Sequence, residues 1–425
     1  MNDRQAHMSQ SPRNLVIETA DDFRVHTSAY TDPDIFEEEM RRIFENTWVY
    51  VAHASELPVP GAFRTSMVGQ NPVIVTRTDE GEIRVLLNAC RHRGNAVCRE
   101  TRGVARTFTC PYHGWVYSNT GDLKGVTHAN GYPASFAADL GGLIRLRAAM
   151  YRGLIFASIN DDVPSIEDHL GDVRKYIDLW ADLSPEREFK VAHPHHYAYQ
   201  GNWKFQPENG IDGWHARFVH SSAFDTIQEF GGRPASDWAT IGCTRGFDGG
   251  FGILERQGIQ QGLSIEERDQ YKELISRRHA SERVGLIWQI RHIYIFPNVL
   301  LFDNLIRVIQ PVAVENTHVI SYPLMLNGAP ESFNKARLFE LQMRLGTTGM
   351  VNADDLEMFA SNQTGMRGGK LEWVVLSHGM ARDKRLAGSE MQGEDTSELP
   401  QRSIYRQWAK FMNAGSVPPV GGYLP

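Results

Sequence analysis

Cysteine is scarce in this chain: four among 425 residues, at Cys90, Cys98, Cys110 and Cys243. Four thiols in so long a chain cannot form the framework of a disulfide-stapled scaffold, which leaves metal ligation or a buried role. Long apolar runs are absent, and none reaches the roughly 18 residues that suggest a membrane-spanning helix. Residues 1–14 are polar and lack the apolar core of a secretory signal. Basic runs are absent too: the net charge is −7 and the pI about 6.2. That balance gives no reason to expect a nucleic-acid or membrane partner. The expected setting is the cytoplasm. No GxGxxG follows a strand-like run, so no dinucleotide site is expected in the chain itself.

What is present is ordinary globular composition, 41 % hydrophobic and 22 % charged, enough for a large core and two or three domains. Ile35, Phe36, Met40, Ile43, Phe44 and Trp48 follow helical spacing and predict a helix over Asp34–Trp48, with Thr31 or Asp32 as its cap. Residues 50–160 carry short β-type runs at Pro72–Thr76, Ile83–Asn88, Arg106–Thr109, Trp115–Tyr117 and Gly153–Ser158, separated by turn signals. They predict a small all-β module. Ile166–Trp180 reads as a helix. Beyond it, Leu286–Tyr294, Val299–Phe302, Arg307–Pro311 and His318–Pro323 predict one antiparallel sheet, and Ser332–Leu345 and Ala353–Gln363 predict helices. Strands followed by helices give an α+β class.

Two clusters carry chemistry. Cys90-Arg91-His92 and Cys110-Pro111-Tyr112-His113 form Cys-x-His and Cys-x-x-His pairs, 17 residues apart. Two thiolates and two imidazoles fit either a tetrahedral zinc or a Rieske [2Fe–2S] cluster. Zinc ribbons usually repeat a Cys-x-x-Cys spacing, whereas each half here supplies one Cys and one His, which favours the cluster. Cys98 and Cys243 fit neither half and read as small buried hydrophobes.

The second cluster runs from Glu208 to His220. His215 and His220 are five apart, so a regular helix would leave them about 140° apart. The spacing predicts a helix from Glu208 to His215 and an irregular turn before His220. The acidic pair Asp354-Asp355 is the best source of a third ligand, and two histidines with one carboxylate suit a ferrous ion with open positions. Asp212, three residues before His215, is placed to hydrogen-bond its imidazole. His193, His195 and His196 read as structural.

These motifs together resemble the large subunits of Rieske non-haem iron ring-hydroxylating oxygenases. The resemblance runs from about Thr31 to Gln363 and includes Tyr112-His113-Gly114-Trp115, Gly201-Asn202-Trp203-Lys204 and Asp354-Asp355-Leu356-Glu357. Within that family the chain is most similar to the aromatic-carboxylate group of benzoate, toluate, anthranilate and cumate dioxygenases, through Asn209-Gly210-Ile211-Asp212-Gly213-Trp214-His215 and Arg307-Val308-Ile309-Gln310-Pro311. Trp214 stands where that group usually has tyrosine, and Arg217 follows a ligand closely.

The resemblance implies a Rieske β-domain at 49–162, inserted between an N-terminal segment (1–48) that packs on the catalytic domain and that helix-grip domain itself (163–425). It implies Cys90 and Cys110 on one cluster iron and His92 and His113 on the other. His215, His220 and Asp355 would bind a mononuclear Fe(II), and Asp212 would bridge His215 to a Rieske histidine, His113, of a neighbouring subunit. Asp355 is preferred over Asp354 because the family ligand is usually the second of such a pair. By position, Gly213, Ala216 and Val351 are expected to line the substrate pocket, with Arg217, Arg245 and Arg291 as candidates for binding a carboxylate. The implied reaction is cis-dihydroxylation of an aromatic ring with O₂. NADH serves through a separate reductase, with or without a ferredoxin. The implied assembly is a trimer of large subunits, or α3β3 with a small subunit. Monohydroxylation or demethylation by the same sites is the alternative within enzymes. An electron carrier with the cluster alone is the alternative outside them, and the catalytic-sized second domain argues against it.

Overall fold

The computed structural model describes residues 14–133, 136, 141–229, 242–257 and 265–414. Strand alternation organises the first module. In the strand Asn71–Arg77, Val73 and Val75 join the large core of the molecule, while Ile74 points the other way, into a smaller cluster with Leu86, Cys90, Cys110 and Trp115. The sheet is thus apolar on both faces. It has seven strands, in the spatial order Val49–His53, Leu154–Ser158, Arg145–Tyr151, Ile83–Leu87, Asn71–Arg77, Ala62–Val68, Arg102–Val104. A three-stranded sheet of Thr107–Thr109, Val116–Ser118 and Leu123–Gly125 lies beside it.

The second module is built on a ten-stranded sheet. Its centre is antiparallel throughout: Gly252–Arg256, Ile290–Ile295, Val299–Leu301, Leu305–Ala313 and Asn316–Leu326 follow one another as neighbours. Register separates its two faces. Leu254 pairs with His292, Tyr294 with Leu300, and Leu300 with Arg307, giving one row. Leu300 closes on Gly210, so this row faces the segment that carries the histidines. On the opposite face Glu255 pairs with Cys243 and Arg291. The long helices Glu331–Leu345 and Asn352–Arg367 follow the sheet, as the sequence predicts to within a few residues.

The N-terminal segment packs on the second module. Val16–Glu18 and Phe23–His26 form a sheet with Trp373–Val375. Asp32 caps the helix Pro33–Glu39 by accepting from Asp34 N at 2.9 Å. That helix continues only as a π turn, Met40–Phe44, and Trp48 lies beyond it, its indole donating to Pro164 O at 3.0 Å. Glu39, fully buried, accepts from Lys204 Nζ at 2.6 Å, Trp203 Nε1 at 2.8 Å and Trp408 Nε1 at 2.6 Å. One carboxylate therefore joins this helix, the histidine-bearing segment and the C-terminal helix Leu399–Asn413.

Two more sequence expectations are corrected. Leu286 and Ile287 end a helix, Ser281–Ile287, and the strand starts only at Ile290. Val284 and Ile287 are buried while Leu286 is exposed, a three-residue spacing that a short apolar run conceals. The helix expected over Ile166–Trp180 is divided into Ile166–Leu170 and Arg174–Ala181 by a 3₁₀ turn that starts at Gly171, whose φ of +47° suits glycine. Among the described residues no helix is long and apolar enough to cross a membrane.

Candidate metal centres and active site

The two Cys/His pairs sit on loops of the same design. Gly94 N donates to Cys90 O at 2.8 Å and Gly114 N to Cys110 O at 2.9 Å. Cys90 N and Cys110 N close each loop on Asn95 O and Trp115 O. Both glycines have φ of +71°, a conformation that costs glycine nothing. The tips bring His92 and His113 together, ring centroids 4.4 Å apart, and Trp115 stacks on His92. Cys90 and Cys110 are buried, with Tyr117 Oη 3.3 Å from Cys90 Sγ. Nδ1 of His92 is buried and has no hydrogen-bond partner among the described residues, which suits a nitrogen meant for a metal.

Donor spacing decides between a single ion and a cluster. Bonds of about 2.0–2.3 Å to one tetrahedral zinc would put its four donor atoms within about 4 Å of one another. Among the described residues, only His215, His220 and Asp355 bring three such donors within 4.8 Å. No three donors of the Cys90/His92/Cys110/His113 set come that close together, which suits a two-iron cluster better than a single ion.

That three-donor group is the second centre. The helix Phe205–Gly210 stops before Ile211, so the break precedes His215 rather than following it as the spacing suggested. Asp212 makes the turn: Oδ1 accepts from Trp214 N at 2.6 Å, and Oδ2 accepts from His215 N at 3.3 Å and lies 3.0 Å from His215 Nδ1. Asp212 thus reaches His215 through an Asx-type turn and not along a helical face. Burial pushes its carboxyl up, and the hydrogen bonds from His215 and Trp214 more than offset that, holding it below the usual range. The short helix Ala216–Val219 then delivers His220.

The two histidine rings stand 5.4 Å apart and nearly perpendicular. Asp355 Oδ1 is 3.6 Å from His215 Nε2 and 3.2 Å from His220 Nε2. Two residues missed as participants hold this geometry. Asp354, weighed only as the rival ligand, lies 3.3 Å from His220 Nδ1. Asn209 donates to Asp355 Oδ1 at 3.0 Å. Each histidine therefore turns one nitrogen to the shared site and the other to its own carboxylate, an arrangement that fixes tautomer and orientation.

The remaining candidates fall in different places. Gly213 packs its α-carbon on the Asp395 carbonyl, where an added Cβ would come within 2.0 Å, so it serves the turn. Ala216 opens the short helix, and Val351 is buried just before the Asp355 helix. Arg217 is exposed. Arg245 and Arg291 pair with Glu390 at 2.6 Å and Glu255 at 2.7 Å on the far face of the sheet. His195 and His196 lie in the strand His195–Tyr199, with His196 stacked on His318.

A cluster-bearing β-module joined to a sheet-and-helix domain with a two-histidine, one-carboxylate centre defines the class of Rieske non-haem iron oxygenases. Residues 47–136 match the Rieske [2Fe-2S] domain, and residues 186–414 match the ring hydroxylating alpha subunit (catalytic domain). The chain is 35 % identical to toluate 1,2-dioxygenase subunit alpha of Pseudomonas putida, over 82 % of this chain and 80 % of that one. It is 34 % identical to the 2-halobenzoate 1,2-dioxygenase large subunit of Burkholderia cepacia, over 84 % and 80 %. Naphthalene 1,2-dioxygenase from Rhodococcus sp. bound to indole shares its fold with a TM-score of 0.81 at 29 % identity, over 93 % of this chain and 95 % of that one. The chain belongs to the alpha subunits of the Rieske aromatic ring-hydroxylating dioxygenases, and it is an oxidoreductase.

Proposed function

We propose that this subunit cis-dihydroxylates an aromatic carboxylate, with Cys90, His92, Cys110 and His113 holding the [2Fe–2S] cluster and His215, His220 and Asp355 the ferrous ion. The convergence of those last three side chains carries the reading. When bound, the cluster supplies single electrons and the ferrous ion supplies an open coordination face for O₂. Asp212 and Asp354 keep the two imidazoles turned inward, and Asn209 keeps Asp355 in place. The aromatic-carboxylate class is supported by the two relatives named for toluate and halobenzoate.

Exposed apolar side chains support a partner of the same kind. Phe218 is 72 % and Trp214 41 % exposed beside His215, and Tyr112 is 56 % exposed beside His113. Such side chains suit burial between subunits. In the proposed trimer the Tyr112 tip of one copy seats against Trp214 and Phe218 of the next, bringing its His113 to Asp212. A small subunit completes the assembly, and a reductase, with or without a ferredoxin, delivers electrons from NADH.

The test is an EPR spectrum of the dithionite-reduced, anaerobically purified protein, with iron and zinc measured on the same sample and products of aromatic acids identified. The expected result is a rhombic Rieske signal, about three irons per chain and a cis-dihydrodiol product. Zinc without that signal would sink the reading. The signal with only two irons, and no turnover after Fe²⁺ is added, would leave an electron carrier.

A further inference from the structure

Among the described residues, Arg307 is a buried cation with which no carboxylate pairs. It sits in the strand Leu305–Ala313, and only 2 % of it is exposed. Its pairing with Leu300, whose methyls close on Gly210, places it on the face of the sheet that meets the histidine-bearing segment. The guanidinium lies over the rings of Tyr197 and Phe302, 5.8 and 5.2 Å from their centroids. Among the described residues its hydrogen bonding is a single contact, from Nη2 to Asn352 Oδ1 at 3.3 Å. Its Nε is buried without an acceptor, and so is Nδ2 of Asn352. Asn352 begins the helix that carries Asp355, three residues before it and on the same face.

Two other buried arginines each meet a carboxylate, Arg402 at Asp383 and Arg291 at Glu255, and the part-buried Arg64 meets Glu56. Burial of a charge is costly unless it is paired and hydrogen-bonded, and two ring faces with one amide oxygen leave Nε of Arg307 without an acceptor among the described residues. An acceptor that carries negative charge would meet both needs. A carboxylate has no donors, offers about four acceptor positions and matches the guanidinium fork in two-point contact.

We propose that Arg307, together with Nδ2 of Asn352, binds the carboxylate of the aromatic acid and so selects acids over neutral rings. This rests on the aromatic-acid reading above and gives it a residue, in place of Arg217, Arg245 and Arg291. The carboxylate sits one helical turn from Asp355, which leaves the ring to lie between Arg307 and the ferrous centre.

The test compares benzoate with benzamide, its neutral isostere, on the holoenzyme. Three variants are used: Arg307→Gln, Arg307→Lys and Asn352→Asp. The last is isosteric and presents Arg307 with the chain's own carboxylate. Iron content and the Rieske EPR signal establish that each variant is loaded, and the rise in Tm on adding benzoate reads binding apart from turnover. In the wild type benzoate is expected to be favoured over benzamide. Arg307→Gln and Asn352→Asp should each lower kcat/KM for benzoate roughly a hundredfold, remove the benzoate-induced rise in Tm and lower kcat/KM for benzamide by a much smaller factor, so that the preference for benzoate collapses. Arg307→Lys keeps the charge without the fork and should raise KM for benzoate about tenfold. If Arg307→Gln does not fold, the other two variants decide. Loaded variants that keep the wild-type preference for benzoate overturn the assignment to Arg307 alone. A wild type that neither binds nor oxidises aromatic acids, yet hydroxylates neutral rings, overturns the assignment and the aromatic-acid reading together.

Discussion

Asp212 and Glu208 are part-buried carboxyls four residues apart with opposite tendencies. Asp212 is held ionised by His215 and Trp214. Replacing it with alanine should leave the Rieske EPR signal unchanged and slow turnover roughly a hundredfold, the upper range for losing a group that orients a metal-bound histidine; turnover at the wild-type rate would remove Asp212 from electron transfer. Glu208 is raised to about 7, by burial above all, although Tyr30 and Tyr405 donate to it. A carboxyl raised by folding binds its proton more tightly in the native state. Its contribution is therefore fully present below about pH 4.5 and is lost as pH rises through about 7, on the order of 3 kcal/mol across that window. Glu208→Gln should accordingly gain stability relative to wild type between pH 5 and pH 8, read as a difference in Tm at the two values. A Tm difference that does not change with pH would show that Glu208 is ionised at both. At this scale the sequence is legible where chemistry is local: the Cys-x-His and Cys-x-x-His tips lie on matching loops whose histidines the structure brings together. It is opaque where a side chain's role comes from distant chain. Asn209 takes its partner 146 residues away, and nothing local distinguishes Arg307 from a surface cation.

The break in the histidine-bearing segment is the element on which the proposed ferrous site depends. Counting residues shows that one helix cannot aim both His215 and His220 at one point, and so demands an irregularity. Where it falls is set by contacts the count does not contain: Gly210 closing on Leu300, Gly213 on the Asp395 carbonyl, and Arg256 donating to Gly213 O at 2.6 Å. The same lack of tertiary context hid the end of the helix at Ile287. Gly213→Ala would press a methyl into backbone that cannot rotate away, an overpacking cost of about 1–3 kcal/mol. Its expected signature is selective: mononuclear iron content and activity fall, while the Rieske absorbance per chain stays at the wild-type level. Equal loss of both kinds of iron would point to general unfolding instead.

For the whole molecule, Glu39 is the shared contact of three distant parts of the chain. Lys204→Met leaves that carboxylate buried without its cation, which should cost about 3–5 kcal/mol. Trp203 and Trp408, both hydrogen-bonded to Glu39, report on the region through their fluorescence. The denaturation midpoint they follow should fall markedly; an unmoved midpoint would mean that the site adjusts to the loss of Lys204. The α+β class and the β-module were legible from patterning, because short apolar β-branched runs such as Val73-Ile74-Val75 recur between turn signals. The joining of residues 16–44 to residues 373–413 was not legible from patterning, since periodicity carries no information about which distant face an element covers.

That joining also sets an order of assembly during synthesis. The strands and all four proposed Cys/His ligands of the cluster-bearing module lie within residues 49–158, a continuous stretch that leaves the ribosome early. The proposed ferrous site includes Asp355, and its supporting segment is packed against the helix Leu399–Asn413, where Gln401 donates to Glu208 O at 2.8 Å. The proposed cluster ligands are therefore made well before the catalytic half is translated, whereas the proposed ferrous site is complete only once the helix Leu399–Asn413 has been made.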